Sequence, residues 1–129
     1  KDIGAFVSLF VDATEASIKF AKELKAQAVE IHTGPFCEKI SNLHSTKEKT
    51  KEVDHLRMIA HLAHSLDLQV HCGHGINYEN AHFFQMIPEL QEANIGHAII
   101  SRSIFVGLKE AVKDMKNLLN NPVFCPKEL

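Results

Sequence analysis

A histidine flanked by glycines is the residue best suited to chemistry in this sequence. His74 lies between Gly73 and Gly75, directly after an apolar stretch at residues 68–72. Imidazole can accept and donate protons near neutral pH, and the glycines would leave the space beside it open to a ligand. The pattern predicts a catalytic acid or base. The alternative is a loop histidine between two turn glycines.

Gly96 and His97 form a second Gly-His pair, at the start of an apolar run that we interpret as a strand at residues 95–100. Glycine would let an anion approach the backbone closely, and Ser101 and Arg102 would add donors at the start of the following helix. The alternative is a core histidine whose ring is hydrogen-bonded to the backbone.

A carboxylate inside an apolar strand is the third candidate. Glu30 lies in a predicted strand at residues 27–32, two positions before His32, so the two side chains share one face. A carboxylate placed there suits acid/base chemistry or the stabilisation of a developing positive charge. The alternative is a buried ion pair that holds the strands in register.

Strands and helices that alternate along the chain must position these residues. Continuous apolar runs predict strands covered on both faces at residues 5–11, 27–32, 68–72 and 95–100. Helical spacing of apolar residues predicts one helix capped by Thr14 and further helices at residues 46–66, 80–86, 101–105 and 108–119. A loop or partly helical segment is expected between the second strand and residue 46.

The alternation predicts a parallel sheet joined by right-handed crossovers. Periodicity alone leaves two folds open, a doubly wound sheet and a segment of a (βα) barrel. In both folds, ligands bind at the carboxyl ends of the strands. Asp12, His32, His74 and Arg102 all fall at such ends, and this convergence indicates a functional site.

The composition is that of one globular domain. The 129 residues suffice for one core, and a net charge of −2 without a basic stripe argues against a nucleic-acid surface. There is no apolar run of membrane-spanning length and no signal-peptide pattern, which predicts a cytoplasmic location. The three cysteines lack zinc spacing and are expected to be reduced, and His61 and His64 have no third metal ligand nearby.

Four motifs, taken together and in order, are more specific than any single residue. They are Ser8-Leu9-Phe10-Val11-Asp12, Glu30-Ile31-His32-Thr33-Gly34, Gly73-His74-Gly75-Ile76-Asn77-Tyr78 and Asn94-Ile95-Gly96-His97-Ala98-Ile99-Ile100-Ser101-Arg102. With the trailing Gly107-Leu108-Lys109-Glu110-Ala111-Val112, they resemble the pyridoxine 5′-phosphate synthase family over nearly the whole chain.

The resemblance implies a (βα)8 barrel enzyme that condenses 1-deoxy-D-xylulose 5-phosphate with 3-amino-2-oxopropyl phosphate, closing the pyridine ring of vitamin B6. It implies no metal or organic cofactor and an octameric assembly. Glu30 matches the family's carboxylate that supports the transition state and relays protons, and His74 matches its general acid. Gly75, Gly96 and His97 match positions that bind 3-amino-2-oxopropyl phosphate.

Family members are about twice as long as this chain. The resemblance therefore implies that residues 1–120 are βα units five to eight of the barrel and that residues 121–129 form an irregular tail. The first half would supply a basic catalytic histidine, a second glutamate and most contacts to 1-deoxy-D-xylulose 5-phosphate. We expect the chain to be inactive alone and to associate through its open sheet edges, with itself or with a partner. The alternative is a phosphate-binding or purely structural half-barrel without catalysis.

Overall fold

The chain forms a four-stranded parallel sheet with helices between consecutive strands. The structure, a computed structural model, describes residues 3–120. The strands are β1 (Ser8–Asp12), β2 (Ala28–His32), β3 (Gln69–Gly73) and β4 (Leu90–Asn94). The helices are α1 (Glu15–Glu23), α2 (Gly34–Asn42), α3 (Thr46–Ser65), α4 (His97–Val106) and α5 (Leu108–Asn120), and a 3₁₀ helix (Ala81–Met86) precedes β4. Among the helices of residues 3–120, none is long and apolar enough to cross a membrane.

The order of the strands decides between the two folds that the sequence left open. β1, β2, β3 and β4 lie side by side in chain order, and every neighbouring pair is parallel. A doubly wound sheet reverses its strand order at a switch point, whereas this sheet does not. Right-handed crossovers that all advance in one direction place their helices on the same face. The fold is therefore α/β with four consecutive βα units, as in half of a barrel, and the barrel prediction is confirmed.

The two faces of the sheet differ in character. One face packs against α1 and α3 and is buried in the core, through Val29, Ile31, Val70 and Cys72. The opposite face carries Phe10, Glu30 and His71, which are neighbours across three strands in the register. The open face therefore brings titratable side chains together, while the helix face holds the fold.

The prediction that the first strand is covered on both faces is wrong for the described chain. β1 begins three residues later than predicted, and its side chains alternate between exposed and half-buried. Phe10 points to the open face and is 58% exposed. In a barrel, this face is filled by side chains from the strands opposite. Phe10 is thus an apolar residue at a position that faces the interior in a barrel, but no strand of residues 3–120 covers it.

The fourth strand lies five residues before its predicted place at residues 95–100. β4 ends at Asn94, and α4 begins at His97. The apolar run that suggested a strand is short, and runs of this length fit a helix equally well. The real strand contains the polar residues Gln91 and Glu92 and packs on one face only, so it lacks the continuous apolar signal.

Local sequence explains the first two helices. Thr14 caps α1 as predicted, because its Oγ1 accepts a hydrogen bond of 3.2 Å from the backbone N–H of Ser17. α2 follows β2 almost directly and has Pro35 in its first turn, where a proline displaces no helical hydrogen bond. The segment expected to be a loop or partly helical is therefore mostly helix. The predicted tail at residues 121–129 lies outside the described residues.

Candidate active site

A cavity of about 590 Å³ opens at the carboxyl ends of the strands. Its lining includes all five residues to which the family resemblance gives a role, namely Glu30, His74, Gly75, Gly96 and His97. They come from three separate segments: β2, the loop after β3 and the start of α4. This is the edge at which ligands bind in parallel α/β folds. The structure therefore brings the predicted candidates to one place.

Glu30 is held from two sides on the open face of the sheet. Its Oε2 accepts a hydrogen bond of 2.9 Å from Asn94 Nδ2. Its Oε1 occupies the place that a Cβ on Gly73 would take, so any larger residue there would collide with the carboxylate. Gly73 therefore makes room for Glu30, rather than for a ligand as the sequence suggested. A carboxylate fixed in this way can accept a proton or stabilise a nearby positive charge.

The backbone of His74 has a left-handed conformation and is held by a hydrogen bond. Its φ is 74°, a region that residues other than glycine seldom adopt. The buried hydroxyl of Thr33 is shared between the carbonyl oxygens of Gly73 and His74, each at 2.8 Å. The imidazole forms a wall between the main cavity and a second cavity of about 440 Å³, which His32 also lines. The loop is thus fixed, and one face of the ring remains accessible to a ligand.

The two glycines of the site differ in the space around them. Gly75 has a φ of 82°, and a Cβ there would lie 3.0 Å from Cys37 Cβ. Gly96 is the N-cap of α4 and has no heavy atom within 4 Å of the place a Cβ would take. His97 is the first residue of this helix and is exposed, so the alternative of a core histidine in a strand is wrong. Free N–H groups at a helix start favour anions.

Ser101 and Arg102 do not line the cavity. They lie more than a turn inside α4, because the helix begins earlier than the sequence suggested. Arg102 donates two hydrogen bonds to Asp114 Oδ2, at 2.9 and 2.6 Å, and its guanidinium carbon lies 4.8 Å from the centre of the Tyr78 ring. The expectation that these residues add donors for an anion is therefore wrong. Arg102 instead links α4 to α5.

His71 lies outside the cavity lining, in the layer beneath it. Its side chain is buried on the open face of the sheet beside Glu30, and its Nδ1 is 3.8 Å from Glu92 Oε1. The sequence left open whether this histidine belongs to the site. In the described structure, it supports the floor of the site.

Sequence reasoning missed Asn94 and Phe10 as members of the site. Both line the cavity, and Asn94 is the hydrogen-bond donor to Glu30. The sequence predicts the fourth strand at residues 95–100, whereas Asn94 is the last residue of the strand that forms. The prediction therefore gives Asn94 no place at the site. Its place two residues before Gly96 is the only local signal, and it does not show that the side chain faces Glu30.

The described cysteines belong to the core. Cys37 and Cys72 are free and buried, as expected of reduced thiols. Burial raises the pKa of Cys37 to about 11 and raises that of Cys72 further. Both thiols are therefore protonated at neutral pH, and protonated thiols are poor nucleophiles and metal ligands. Within residues 3–120, no group of three histidine, cysteine or acidic side chains is arranged to hold a metal ion.

Comparison with known proteins supports the same family as the four motifs. The profile of the family described as "Pyridoxal phosphate biosynthesis protein PdxJ" matches residues 1–121. The proteins named pyridoxine 5′-phosphate synthase from Akkermansia muciniphila, Opitutus terrae and Idiomarina loihiensis are 43%, 46% and 43% identical over 120, 117 and 119 residues. These alignments cover 92%, 91% and 92% of this chain, but 47%, 46% and 48% of the relatives.

The chain therefore spans about half the length of the curated relatives it matches. The match nevertheless extends over nearly all of the chain, including every residue of the cavity. The resemblance read from the sequence is confirmed, and the chain belongs to the PdxJ family of pyridoxal phosphate biosynthesis proteins.

Proposed function

We propose that this chain carries half of the active site of a pyridoxine 5′-phosphate synthase. The supporting observation is that Glu30, His74, Gly75, Gly96 and His97 share one cavity. The proposed substrates are 1-deoxy-D-xylulose 5-phosphate and 3-amino-2-oxopropyl phosphate, which condense to close the pyridine ring. The proposal includes no metal and no organic cofactor.

Two side chains carry the proposed chemistry. Joining an amine to a ketone expels water, and the departing hydroxyl needs a proton, which His74 supplies as a general acid. Glu30 faces the same cavity, stabilises the positive charge that develops on nitrogen and relays protons. The hydrogen bond from Asn94 keeps this carboxylate in place while the charge near it changes.

Backbone groups bind the phosphate of 3-amino-2-oxopropyl phosphate in this proposal. The start of α4, at Gly96 and His97, offers N–H groups that no earlier helical turn uses. Gly75 faces the same cavity from the loop after β3. Because Gly75 and Gly96 have no Cβ, the three phosphate oxygens have room to approach the backbone, where the helix dipole of α4 acts on them.

Residues from the other half of the barrel complete the site, and the chain alone does not make the product. The exposed edges of β1 and β4 are the places where the remaining strands pair. We extend the proposal to a homo-oligomeric assembly, as the family resemblance implies. The proposed location is the cytoplasm, because phosphorylated substrates do not cross membranes unaided.

The test is turnover in a completed enzyme. The chain is co-expressed with the first half of the Opitutus terrae relative, and formation of pyridoxine 5′-phosphate is measured. We expect His74→Gln and Glu30→Gln each to lower kcat by about 10²- to 10⁴-fold. His44→Ala, at an exposed position between α2 and α3, is the matched control and should leave turnover unchanged. Full turnover in His74→Gln would contradict the proposal, as would product formation by the purified chain alone.

Inorganic phosphate separates the catalytic proposal from the phosphate-binding alternative. Titration of the ¹⁵N-labelled chain should shift the amide resonances of Gly96 and His97. Binding in this experiment, combined with unchanged turnover in Glu30→Gln, would favour a phosphate-binding half-barrel without catalysis. A spectrum unaffected by phosphate, combined with an inactive completed enzyme, would favour a purely structural module.

A further inference from the structure

We propose that His32 is a positioning residue that fixes the orientation of the His74 imidazole. The inference rests on the proposed function, in which His74 is the general acid. His32 is not among the residues that line the main cavity, so it acts through His74 and not on the substrate.

The contact between the two rings carries the argument. Their centroids are 5.0 Å apart and their planes are inclined by 72°, an edge-to-face arrangement that aromatic rings favour. On its other side, His32 packs against Phe10, with centroids also 5.0 Å apart. His32 is therefore the middle ring of three, and it cannot turn without disturbing its neighbours.

Gly34 is shaped for this pair of rings. A Cβ at that position would lie 2.7 Å from His74 Cδ2 and 2.8 Å from His32 Nε2. Real Cβ atoms do not come so close, so both imidazoles rest on a bare stretch of backbone at the start of α2. The two imidazole rings therefore pack against the Gly34 backbone as well as against each other.

Backbone and side chain of His74 are fixed by different groups. The Thr33 hydroxyl holds the carbonyl oxygen of His74 at 2.8 Å and thereby fixes the loop. No hydrogen bond from the His74 ring nitrogens to another described residue is present, so ring packing is what restricts its χ angles. Removing His32 leaves the loop in place and frees the ring.

His32 also contacts a carboxylate on the neighbouring strand. Its Nδ1 lies 3.7 Å from Asp12 Oδ1 at the end of the neighbouring strand, and 28% of its side chain is exposed. The carboxylate of Asp12 is largely exposed, so this pair is a weak tether. The packing of the rings therefore outweighs the ion pair in holding His32.

Two variants distinguish ring packing from charge. His32→Ala removes the ring, and His32→Phe retains a planar ring without the contact to Asp12. The chain is labelled with ¹³C at its histidines, and the ring resonances of His74 are recorded for both variants. We expect His32→Ala to shift and broaden the His74 resonances and His32→Phe to restore most of the original spectrum. His44→Ala, at an exposed position between α2 and α3, is the matched control.

Turnover in the completed enzyme gives the second readout. We expect His32→Ala to lower kcat by about 10- to 100-fold with KM unchanged, because a misplaced acid weakens the chemical step and not substrate binding. His32→Phe should recover most of this loss. Unshifted His74 resonances in His32→Ala, or equal losses of kcat in both variants, would overturn the proposal.

The two proposals fail in different ways. If His74→Gln keeps full turnover, the role of His74 in the proposed function is wrong, yet the spectra still decide whether His32 orients it. If His74→Gln is inactive and His32→Ala leaves both spectrum and kcat unchanged, only the positioning role is wrong.

Discussion

At the scale of single residues, Thr33 joins the two loops on which the candidate site depends. It is fully buried, and its hydroxyl bonds to carbonyl oxygens across the sheet, 40 and 41 residues away in sequence. The Gly73 carbonyl also accepts the backbone N–H of Thr33 at 2.9 Å, so losing the hydroxyl mainly deprives the partly buried His74 carbonyl of a partner, which is unfavourable. Thr33 is therefore expected to contribute both to stability and to the placement of His74.

Thr33→Val tests this role, because it removes the hydroxyl and keeps the shape. We expect the free energy of unfolding to fall by roughly 1–3 kcal/mol, measured by urea denaturation. Thr50→Val is the matched control, since Thr50 is exposed and its hydroxyl bonds only to the Thr46 carbonyl within α3. Equal losses in the two variants would show that the Thr33 hydroxyl does not hold the loops together.

The buried thiols give a pH-dependent prediction. Burial raises the pKa of Cys37 from 9.0 to about 11, so the folded state favours the protonated form. The unfolded chain ionises first as pH rises, and the stability linked to Cys37 is present below pH 9 and is lost towards pH 11.

Because the thiolate is the reactive species, Cys37 and Cys72 should resist iodoacetamide at pH 8 in the folded chain and react in urea. Peptide mapping by mass spectrometry measures this. Rapid modification of the Cys37 peptide without urea would contradict the burial argument.

At the scale of elements, two glycines that look equivalent in the sequence should respond differently to the same change. Gly75→Ala places a Cβ at a φ of 82° and within 3.2 Å of Gly34 Cα. We expect it to lower the free energy of unfolding by roughly 1–2 kcal/mol. Gly96→Ala meets no atom and has a φ of −108°, so only the poorer capping by alanine should lower the free energy of unfolding, by about 0.5 kcal/mol and less than Gly75→Ala does. Urea denaturation of both variants checks the difference, and similar losses would refute it.

The elements also show how far sequence reasoning reaches. Glu30 and His74 could be placed because each lies in or directly after a continuous apolar strand whose end is marked by glycine. Asn94 could not be placed, because its strand is half exposed and alternates irregularly. Parallel pairing with β3, a tertiary interaction, fixes that strand, and no local pattern contains this information. The same cause hid the hydrogen bond from Asn94 to Glu30.

At the scale of the whole molecule, the fold class followed from the order of elements, whereas the exposed apolar surfaces are visible only in the folded structure. The strand order confirmed a barrel arrangement of four units. Large apolar side chains remain exposed near both ends of the sheet, and in a complete barrel such surfaces pack against further βα units. One group, near β1, is Phe6, Phe10, Phe20 and Leu24, and the other, around the junction of α4 and α5, is Ile100, Ile104, Phe105, Val106 and Leu108.

These surfaces predict that the purified chain associates. Ile104 and Phe105 are 79% and 87% exposed, and removing such side chains from water is favourable at about 25 cal/mol per Å². We expect light scattering after size exclusion to give a mass above the 14.4 kDa of one chain. Phe105→Lys should lower this mass, because burying a charge at the contact is unfavourable. Met58→Lys, which adds the same charge at an exposed apolar residue of α3 that belongs to neither group, should not. A monomeric parent chain, or equal effects of the two variants, would contradict an interface at the junction of α4 and α5.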